Sequence, residues 1–529
     1  MSFDLKSLTV QKMLFQRVIP RLEGDRLGEK DYFNDILKLV KAGVGGFILF
    51  GGDFWEVRQT LPKLQAKADI PLLFMSDMEK GAGQQLKGAT VFPCQMAVAA
   101  ATDLVTGEGL TVLAAMLDGM AYEARAAGVQ AILTPVLDVN SNPLNPIIST
   151  RAFSDEPQVV SGLGERYVKG LQGSPVPVMA CGKHFPGHGD VQVDSHNSLP
   201  ILEKDKDSLE EEDMLPFRRV VMAGVEMIMT AHLKAVELDP VYPASLSQTV
   251  IRRYLRNRAG FEGLVLTDAL NMGALAQSYS PKEAARLAVK AGADILLHPG
   301  EALEFLNVLG ELIKEKGVTK EEIFMPASRL ARAKIRYCQA IRLPDRQIAQ
   351  RLEENQAVAQ EMSSRALTLV KAAGAFPKLR EVKGNIAHIV LEDDGDPKAG
   401  RVLRSALARQ KNVKNLFVTK PRLEELRPEA LKYSKEAALT IISIFSKVSA
   451  GKGSSLLSPE LVELGRNLLS RSRSCAVVSF GSPYILKSFS DAPYLVAAYD
   501  PGPPMQNAAY RAFLGEIVLM GELPVRITG

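Results

Sequence analysis

Cysteine is scarce in this chain, and the few that occur lie far apart. Cys94, Cys181, Cys338 and Cys475 are the only four in 529 residues, and no two of them form a C-x-x-C pair. This spacing excludes a zinc knuckle and a disulfide framework as the organising feature of the fold. We interpret the four thiols as small core residues.

Long apolar runs and a strong charge imbalance are absent as well. No apolar run reaches membrane-spanning length, and the first residues lack the apolar core of a signal peptide. These observations predict a cytoplasmic protein that does not enter a membrane. The formal net charge is only +4, and no dense basic run is interleaved with aromatic residues, so nucleic acid is not an expected partner.

The chain does contain a repeated unit: a short apolar run, a polar or turn-forming end, and an amphipathic stretch. Apolar runs that alternate with helices are typical of parallel strands covered by helices. Strands are predicted at 45–50, 72–75, 131–137, 178–180, 227–229, 264–266 and 295–297, after an early apolar run at 13–19. Helices are predicted at 32–42, 105–127, 158–172, 209–223, 282–291 and 327–340.

Seven such units and the early run predict an α/β fold, a (β/α)8 TIM-type barrel, over residues 1–342. A doubly wound open sheet is the alternative, but no G-x-G-x-x-G follows a strand, and no cofactor is expected. Residues 343–367 are predicted to form a helical connector, and residues 368–529 a smaller α/β sandwich domain without catalytic residues. The predicted strands of this second domain are 386–391, 415–418, 439–445, 476–480 and 494–498, with helices at 399–410 and 459–470.

Residues 183–200 hold three of the six histidines of the chain, His184, His188 and His196. Pro186 and the flanking glycines exclude a regular helix, so a long loop is predicted after a strand at 178–180. The loop also removes the helical geometry that would let His184 and His188 bind a metal ion, and no metal site is expected. We interpret His188 as bonded to the backbone, and His196, two residues after Asp194, as a general acid or base.

Several predicted strands end at a residue that can bind or react. Asp77, Asp138, Lys183, His184, His232 and Asp268 occupy these positions. Catalytic groups of a TIM-type barrel gather at the carboxyl ends of its strands, so these side chains are expected to meet. For Asp138 and Asp53 a second interpretation stays open, since Asp before a helix is a common N-cap.

The motifs at these positions resemble those of glycoside hydrolase family 3, in particular its β-N-acetylglucosaminidase branch. The resemblance is most specific in Lys-His-Phe-Pro-Gly-His-Gly-Asp with Asp-Ser-His and Leu-Pro, at 183–200. Further matches are Val44-Gly-Gly-Phe-Ile-Leu-Phe, Asp77-Met-Glu, Thr134-Pro-Val-Leu-Asp-Val-Asn, Arg151-Ala-Phe-Ser, Met229-Thr-Ala-His, Pro243-Ala-Ser-Leu-Ser and Leu266-Thr-Asp-Ala-Leu-Asn-Met. The resemblance covers residues 10–340, and Gly481-Ser-Pro-Tyr and Gly521-Glu-Leu-Pro-Val are similar to the second domain of the family.

The resemblance implies a retaining exo-β-N-acetylglucosaminidase that acts on small β-linked, peptidoglycan-derived saccharides. It implies that Asp268 is the nucleophile and that His196, assisted by Asp194, is the acid/base. It also implies that the sugar is bound by Asp77, Arg151, Lys183 and His184.

The chain departs from the family pattern after Asp77, where Ala82 and Gln85 stand in place of two arginines.

Three alternatives follow from the residues and the resemblance. An imidazole acid does not repel an anionic acceptor as a carboxylate would, so phosphate could replace water and give a phosphorylase. A β-glucosidase or β-xylosidase of the same family is the second alternative, and a sugar-binding protein without turnover is the third. The aglycone and the oligomeric state are left open.

Overall fold

The computed structural model describes residues 8–191, 193, 198–447 and 454–527. The chain divides into two compact units. Unit 1 comprises Met1–Val91, Ala114–Val139 and Pro157–Asn355, and unit 2 comprises Phe92–Leu113, Asn140–Glu156 and Gln356–Gly529. Unit 2 thus includes two stretches that lie, in sequence, within the predicted barrel domain.

Unit 1 contains eleven strands among its described residues, numbered here in chain order. They are β1 Val18–Ile19, β2 Arg21–Glu23, β3 Gly46–Phe50, β4 Leu73–Ser76, β5 Ala131–Ile132, β6 Met179–Phe185, β7 Ile201–Leu202, β8 Met227–Thr230, β9 Lys234–Ala235, β10 Leu264–Thr267 and β11 Leu296–Leu297. Its α-helices are Val10–Phe15, Lys30–Ala42, Phe54–Gln65, Pro157–Gly173, Lys206–Ser208, Leu215–Met222, Gly273–Ala276, Pro281–Ala291, Ala302–Lys314 and Lys320–Tyr337, with π-helical segments at Leu209–Asp213 and Thr249–Arg258. The helices Leu110–Ala127 and Asp345–Ala366 have residues in both units.

Nine of the eleven strands of unit 1 form a closed parallel barrel, and β7 and β9 pair with each other in a separate two-stranded sheet. Seven of them lie in the order β10-β8-β6-β5-β4-β3-β2, and every pairing in that order is parallel. The ring closes because β1 pairs with β11 and Leu266 of β10 bridges to Ile295. β1 and β2 flank Pro20, which has no N–H to donate, and together they occupy one of eight strand positions. The predicted TIM-type barrel is therefore confirmed.

Alternate side chains of the strands fill the barrel. The interior includes Ile19, Ile48, Met75, Cys181, Met229, Leu266 and Leu297, each at most 3% exposed. Leu330, Ala333 and Tyr337 of the predicted closing helix pack on the same cluster. Because side chains alternate between the faces of a strand, the residue two positions further along faces the same way. At the carboxyl ends these next residues include Arg21, Asp77, Lys183 and Asp268.

Two predicted elements of unit 1 were wrong. The early apolar run at 13–19 is a helix, Val10–Phe15, followed by the two-residue β1. The segment from Lys183 was predicted as a loop, but β6 continues through Lys183 and His184 to Phe185. Pro186 and Gly187 do end that strand, as the sequence indicated. The difference places the Lys183 and His184 side chains on the barrel itself.

Unit 2 contains a six-stranded sheet in the order β12-β17-β16-β15-β13-β14. Its strands are β12 Thr368–Ala372, β13 Ile386–Glu392, β14 Val413–Thr419, β15 Leu439–Phe445, β16 Cys475–Phe480 and β17 Tyr494–Ala497, and its helices are Gln95–Ala100, Arg401–Leu407, Leu423–Glu436, Pro459–Arg471 and Pro503–Leu514. All pairings are parallel except that of β12 with β17. Both β13 and β15 are buried along their whole length, as expected for a sheet with covered faces, and the predicted α/β sandwich is confirmed.

In the part of the chain that the structure describes, no helix combines the length and the apolar character needed to cross a bilayer.

Candidate active site

A buried ion-pair cluster lies where β4 and β6 end. Nζ of Lys183 lies 2.8 Å from Oδ1 of Asp77 and 2.7 Å from Oε1 of Glu79. The Lys183 side chain is only 2% exposed, whereas that of Asp77 is 30% exposed. The amine is thus fixed between two carboxylates, and Asp77 is the member of the cluster that a ligand can reach.

Asp138 follows β5 and holds the next part of β6 in place. Its Oδ2 lies 2.7 Å from Nδ1 of His184, and its Oδ1 accepts from the backbone N–H groups of His184 at 3.1 Å and His188 at 2.7 Å. Since a carboxylate only accepts, Nδ1 of His184 carries a proton and Nε2 is left for a ligand. Burial opposes ionisation of Asp138, but His184 and His188 outweigh it and lower the pKa of this carboxyl.

His188 packs beside this pair. Its ring lies edge-on to that of His184, with centroids 5.9 Å apart. Burial lowers the pKa of His188 to about 4, although Asp138 acts in the opposite direction. His188 is therefore neutral near pH 7, and its backbone N–H donates to the Asp138 side chain at 2.7 Å. The predicted bond of His188 to the backbone stays a prediction.

Asp268 follows β10 and interacts electrostatically with the side chains of His184, Lys183 and His232. Burial would raise the pKa of its carboxyl, but His232, His184, the Ala269 amide and Lys183 together lower it. Its Oδ1 accepts from the Ala269 N–H at 2.8 Å, and its own N–H donates to Thr230 at 3.0 Å. The structure thus places an ionised carboxylate in the barrel mouth.

His232 supports the segment that carries Asp268. Its Nε2 lies 2.9 Å from the Ala269 carbonyl and its Nδ1 lies 2.7 Å from the Ser245 hydroxyl. A carbonyl only accepts, so Nε2 donates to it and Nδ1 accepts from the hydroxyl. Burial lowers the pKa of His232, against the influence of Asp268, so the ring is a neutral support that fixes Ala269 beside the carboxylate.

Four of the predicted site residues therefore meet in unit 1: Asp77, Lys183, His184 and Asp268. Arg151 belongs to unit 2, where its guanidinium donates to the Ile147 carbonyl at 3.0 Å. Asp194 and His196 lie outside the described residues. The alternative that Asp138 is a helix N-cap was wrong, whereas Asp53 does cap the helix Phe54–Gln65 by accepting from Trp55 and Glu56.

The two positions that depart from the family pattern have structural roles. Ala82 is fully buried, so an arginine side chain has no room there without displacement of its neighbours. The Gln85 amide accepts from the Gly51 N–H at 3.3 Å and donates to the Asp77 carbonyl at 3.1 Å. Gln85 thereby links the segment after β3 to the residue that a ligand can reach.

Glu79, the second partner of Lys183, was not singled out from the sequence. Asp138 and His232 were predicted at strand ends, but their contacts with His184 and Ala269 were not predicted. Glu79 had a usable signal, because it follows Asp77 by two residues and so faces the same way. The described residues contain no group of three His, Cys, Asp or Glu side chains arranged to hold a metal ion.

A parallel barrel with an ionised aspartate and further polar side chains at the carboxyl ends of its strands is an arrangement found in glycoside-cleaving enzymes. Residues 29–333 match the model of the glycosyl hydrolase family 3 N-terminal domain. The chain belongs to glycosyl hydrolase family 3, and the resemblance seen in its motifs is confirmed.

Similar proteins extend this result. The chain is 28% identical to a β-hexosaminidase A of Pseudoalteromonas piscicida over a matched region of 384 residues. That region covers 66% of this chain and 63% of that protein. It is 33% identical over 295 residues to a β-hexosaminidase of Nitrosospira multiformis, covering 55% of this chain and 82% of that protein. The structure of a family 3 β-N-acetylglucosaminidase from Paenibacillus sp. str. FPU-7 matches with a TM-score of 0.85 and 27% identity, and covers 99% of both chains.

Proposed function

We propose that this chain is a retaining exo-β-N-acetylglucosaminidase whose nucleophile is Asp268. The observation that carries the proposal is the ionised Asp268 carboxylate in the same barrel mouth as His184 and Lys183. A nucleophilic carboxylate must be charged at working pH, and the lowered pKa of Asp268 meets that requirement. The similarity to proteins named β-hexosaminidase and β-N-acetylglucosaminidase supports the choice of sugar.

In the first step one oxygen of Asp268 attacks the anomeric carbon. The bond from that carbon to the glycosidic oxygen breaks, the electron pair stays on this oxygen, and a proton from the acid/base residue makes it the leaving hydroxyl. In the second step water, deprotonated by the same acid/base residue, attacks the anomeric carbon and releases Asp268. Two inversions retain the β-configuration.

We assign the acid/base role to His196, assisted by Asp194, on the motif Asp194-Ser-His. An adjacent carboxylate favours a protonated imidazole, which is the form that the first step needs. Sugar binding is assigned to Asp77, Lys183 and His184, and also to Arg151. Nε2 of His184 and the exposed carboxylate of Asp77 can each form a hydrogen bond with one hydroxyl or amide group of the sugar ring.

We take the substrate to be a small β-linked saccharide of the kind that peptidoglycan yields, and the location to be the cytoplasm. Cys181, Cys338 and Cys475 carry free thiols, which suits a reducing compartment. Subcellular fractionation of the native host would test the location directly.

The experiment compares Asp268→Ala with the unaltered enzyme on an aryl N-acetyl-β-glucosaminide. We expect turnover to fall by at least about 10⁴-fold, as is typical when a catalytic unit loses its nucleophile, and to be partly restored by azide with formation of the α-glycosyl azide. Normal turnover in Asp268→Ala would overturn the assignment. Parallel assays with aryl glucosides and xylosides test the sugar, and product analysis with and without phosphate separates hydrolysis from phosphorolysis.

A further inference from the structure

Residues 140–156 belong to unit 2, although the chain on both sides of them belongs to unit 1. They lie between β5 and the helix Pro157–Gly173, and they include Arg151, which is assigned to sugar binding. In a parallel barrel the loops that follow the strands carry the functional groups. We refer to residues 140–156 as the Arg151 segment. The contacts that fix this segment decide how Arg151 is presented.

The Arg151 segment is closed by a hydrogen bond of its own, but it is also strained. The Asn140 N–H donates to the Ser154 carbonyl at 3.0 Å. Ser149 has a positive φ of 41°, which side chains other than glycine rarely adopt, and its buried hydroxyl has no hydrogen-bond partner among the described residues. Both features raise the free energy of the segment, so contacts from outside it are needed to stabilise this conformation.

The first outside contact comes from the motif Gly481-Ser-Pro-Tyr of unit 2, which the proposed mechanism does not use. The Tyr484 hydroxyl accepts from the Asn140 side-chain amide at 2.9 Å, and both residues are buried. The turn that carries Tyr484 is itself fixed, because a Cβ added at Gly481 would lie only 2.1 Å from the Ser446 carbonyl oxygen. Only glycine permits this close approach, and Tyr484 is thereby presented to Asn140 in a defined position.

The second outside contact comes from the other motif of unit 2, Gly521-Glu-Leu-Pro-Val. The Ser154 hydroxyl donates to the Pro524 carbonyl at 2.5 Å, and Val525 beside it is buried. The start of this motif is anchored to the end of the preceding helix, since the Gly521 N–H donates to the Leu367 carbonyl at 3.0 Å. The motif therefore offers a fixed acceptor to the Arg151 segment.

The four motifs thus pair one to one. Asn140 ends the motif Thr134-Pro-Val-Leu-Asp-Val-Asn, and Ser154 ends the motif Arg151-Ala-Phe-Ser. Each of these two residues receives one contact from a motif of the second domain. Because Asn140 and Ser154 are also bonded to each other, both contacts act at the point where the segment closes.

We propose that Tyr484 and Pro524 are positioning residues for Arg151, so that unit 2 determines how tightly the enzyme binds its sugar. This inference rests on the proposed function, because it needs Arg151 to bind the sugar. The guanidinium donates to the Ile147 carbonyl of its own segment at 3.0 Å, so it moves with the segment. A binding group that is already ordered loses less conformational freedom when the ligand binds, which raises affinity and leaves bond cleavage unchanged.

The kinetic test uses the full-length enzyme with Tyr484→Phe or Ser154→Ala. Each variant removes one hydrogen bond between the Arg151 segment and a motif of unit 2. We expect KM for the aryl N-acetyl-β-glucosaminide to rise by about fivefold while kcat stays within about twofold, since one lost hydrogen bond weakens binding rather than chemistry. Tyr484→Phe is the cleaner variant, because the Ser154 hydroxyl also accepts from the Glu156 N–H. An unchanged KM in Tyr484→Phe overturns the proposal.

A double-mutant cycle tests whether the effect passes through Arg151. Arg151→Met should raise KM by itself, and Tyr484→Phe should raise it no further in that background, because the loosened segment no longer carries the binding group. Additive effects of the two substitutions overturn the positioning role. An unchanged KM in Arg151→Met would refute sugar binding by Arg151, and the proposal with it.

The chain offers a matched control for Tyr484. Tyr499 is a buried tyrosine of the same unit, and its hydroxyl donates to the Thr368 hydroxyl at 2.7 Å, outside the Arg151 segment. Tyr499→Phe removes a comparable buried hydrogen bond, so it should lower the melting temperature and leave KM unchanged. If Tyr499→Phe raises KM as Tyr484→Phe does, the effect is a general loss of stability in unit 2, and the proposal is overturned.

Hydrogen exchange gives a readout that does not depend on turnover. The Arg151 N–H donates to the Ile148 carbonyl at 2.8 Å, and its exchange should become about fivefold faster in Tyr484→Phe but not in Tyr499→Phe. Equal exchange in the two variants overturns the positioning role. Absence of turnover on every N-acetylglucosaminide by the unaltered enzyme would refute the proposed function instead, and the exchange rates would still decide whether Tyr484 orders the Arg151 segment.

Discussion

Asp138 binds both the imidazole ring and the backbone N–H of His184. Nδ1 of the imidazole lies 2.7 Å from Oδ2 of the carboxylate, and the backbone N–H of the same histidine lies 3.1 Å from Oδ1. Because Oδ1 also accepts from the His188 N–H at 2.7 Å, one fully buried carboxylate fixes the whole 184–188 turn. Asp138 is thus a positioning residue for His184.

Replacement of Asp138 by Asn should disable this arrangement. An amide has one accepting oxygen for three donors, so at least one buried N–H loses its partner, at about 1–3 kcal/mol each. We expect kcat/KM to fall by about 100-fold with the KM for the sugar raised, because His184 no longer presents Nε2 in a fixed direction. Steady-state kinetics on the aryl N-acetyl-β-glucosaminide measures the change.

Asp53→Asn is the matched control for that variant. Asp53 also follows a strand, but it precedes a helix and its side chain accepts from Trp55 and Glu56 as an N-cap. Asn is a good N-cap as well, so activity and stability should both be preserved. A loss of kcat/KM in Asp53→Asn comparable to that in Asp138→Asn would show that the effect is not specific to the His184 contact.

These two aspartates show what the sequence can and cannot predict. Both follow an apolar run, and local pattern alone allows an N-cap in either case. The role of Asp53 depends on residues two and three positions away, whereas that of Asp138 depends on His184, 46 residues later. Contacts of that separation leave no local signal. The cap was therefore predictable from nearby residues, whereas the barrel prediction brought Asp138 and His184 to one edge without identifying them as a pair.

The fold was more predictable than the site for the same reason. Apolar runs such as Leu439–Phe445 reveal buried parallel strands locally. The strand β6 was predicted too short, since Lys183 and His184 are polar and their partners Asp77 and Asp138 are distant in sequence, following β4 and β5. The strand β12 was missed because it is an antiparallel edge strand, mostly unburied and with a register shift after Leu369. The acid/base pair Asp194 and His196 lies outside the described residues and stays a prediction.

Glu79→Gln should weaken sugar binding more than chemistry. The Lys183 amine is held by two carboxylates at 2.8 and 2.7 Å, and removal of one charge leaves Asp77 as its sole anionic partner in that cluster. Asp77 is then bound more tightly by Lys183 and is less available to a hydroxyl. We expect KM to rise by about tenfold with a smaller change in kcat, corresponding to about 1.4 kcal/mol.

The control for Glu79→Gln is a lysine–carboxylate pair on the surface. Asp35 lies 2.7 Å from Nζ of Lys38, but both side chains are 65% exposed. Exposed pairs of this kind contribute little, so Asp35→Asn should change neither KM nor the melting temperature measurably. If both variants raise KM alike, the effect of Glu79 does not come from the buried cluster.

Gly187→Ala should loosen the turn after His184. Gly187 has φ of 139°, and an added Cβ would lie 2.7 Å from Cβ of Asp213, too close for two carbon atoms. Gly224 provides the control, since its φ is 81° and nothing lies within 4 Å of an added Cβ. Gly224→Ala should cost only the backbone preference, about 1 kcal/mol, without loss of activity. Gly187→Ala should cost more in denaturant titrations and should also lower kcat/KM, and equal effects of the two variants would contradict this account.

Asp213, which packs against Gly187, should make stability depend on pH. It is fully buried, and Nζ of Lys204 lies 2.7 Å from its Oδ2. Burial raises the pKa of Asp213 to about 6, against the influence of Lys204 and with a contribution from Asp190. The folded-state pKa therefore exceeds the value of about 3.9 expected for an unfolded chain.

The sign of the effect follows from proton linkage. A carboxyl with a raised folded-state pKa binds more protons in the folded protein, so its contribution to stability is present below pH 4 and is lost as the pH rises through 6. Relative to Asp213→Asn, which does not titrate, the unaltered protein should lose about 2 kcal/mol of unfolding free energy between pH 4.5 and 7.5. Urea titrations of both proteins across this range measure the difference.

Asp205→Asn is the sign control, because hydrogen bonds from Ser208 lower the pKa of Asp205. Any slope of unfolding free energy against pH that Asp205 contributes must therefore have the opposite sign. A difference between the unaltered protein and Asp213→Asn that is constant, or that grows in favour of the aspartate with rising pH, would show that this carboxyl is not destabilised by its burial beside the 184–188 turn.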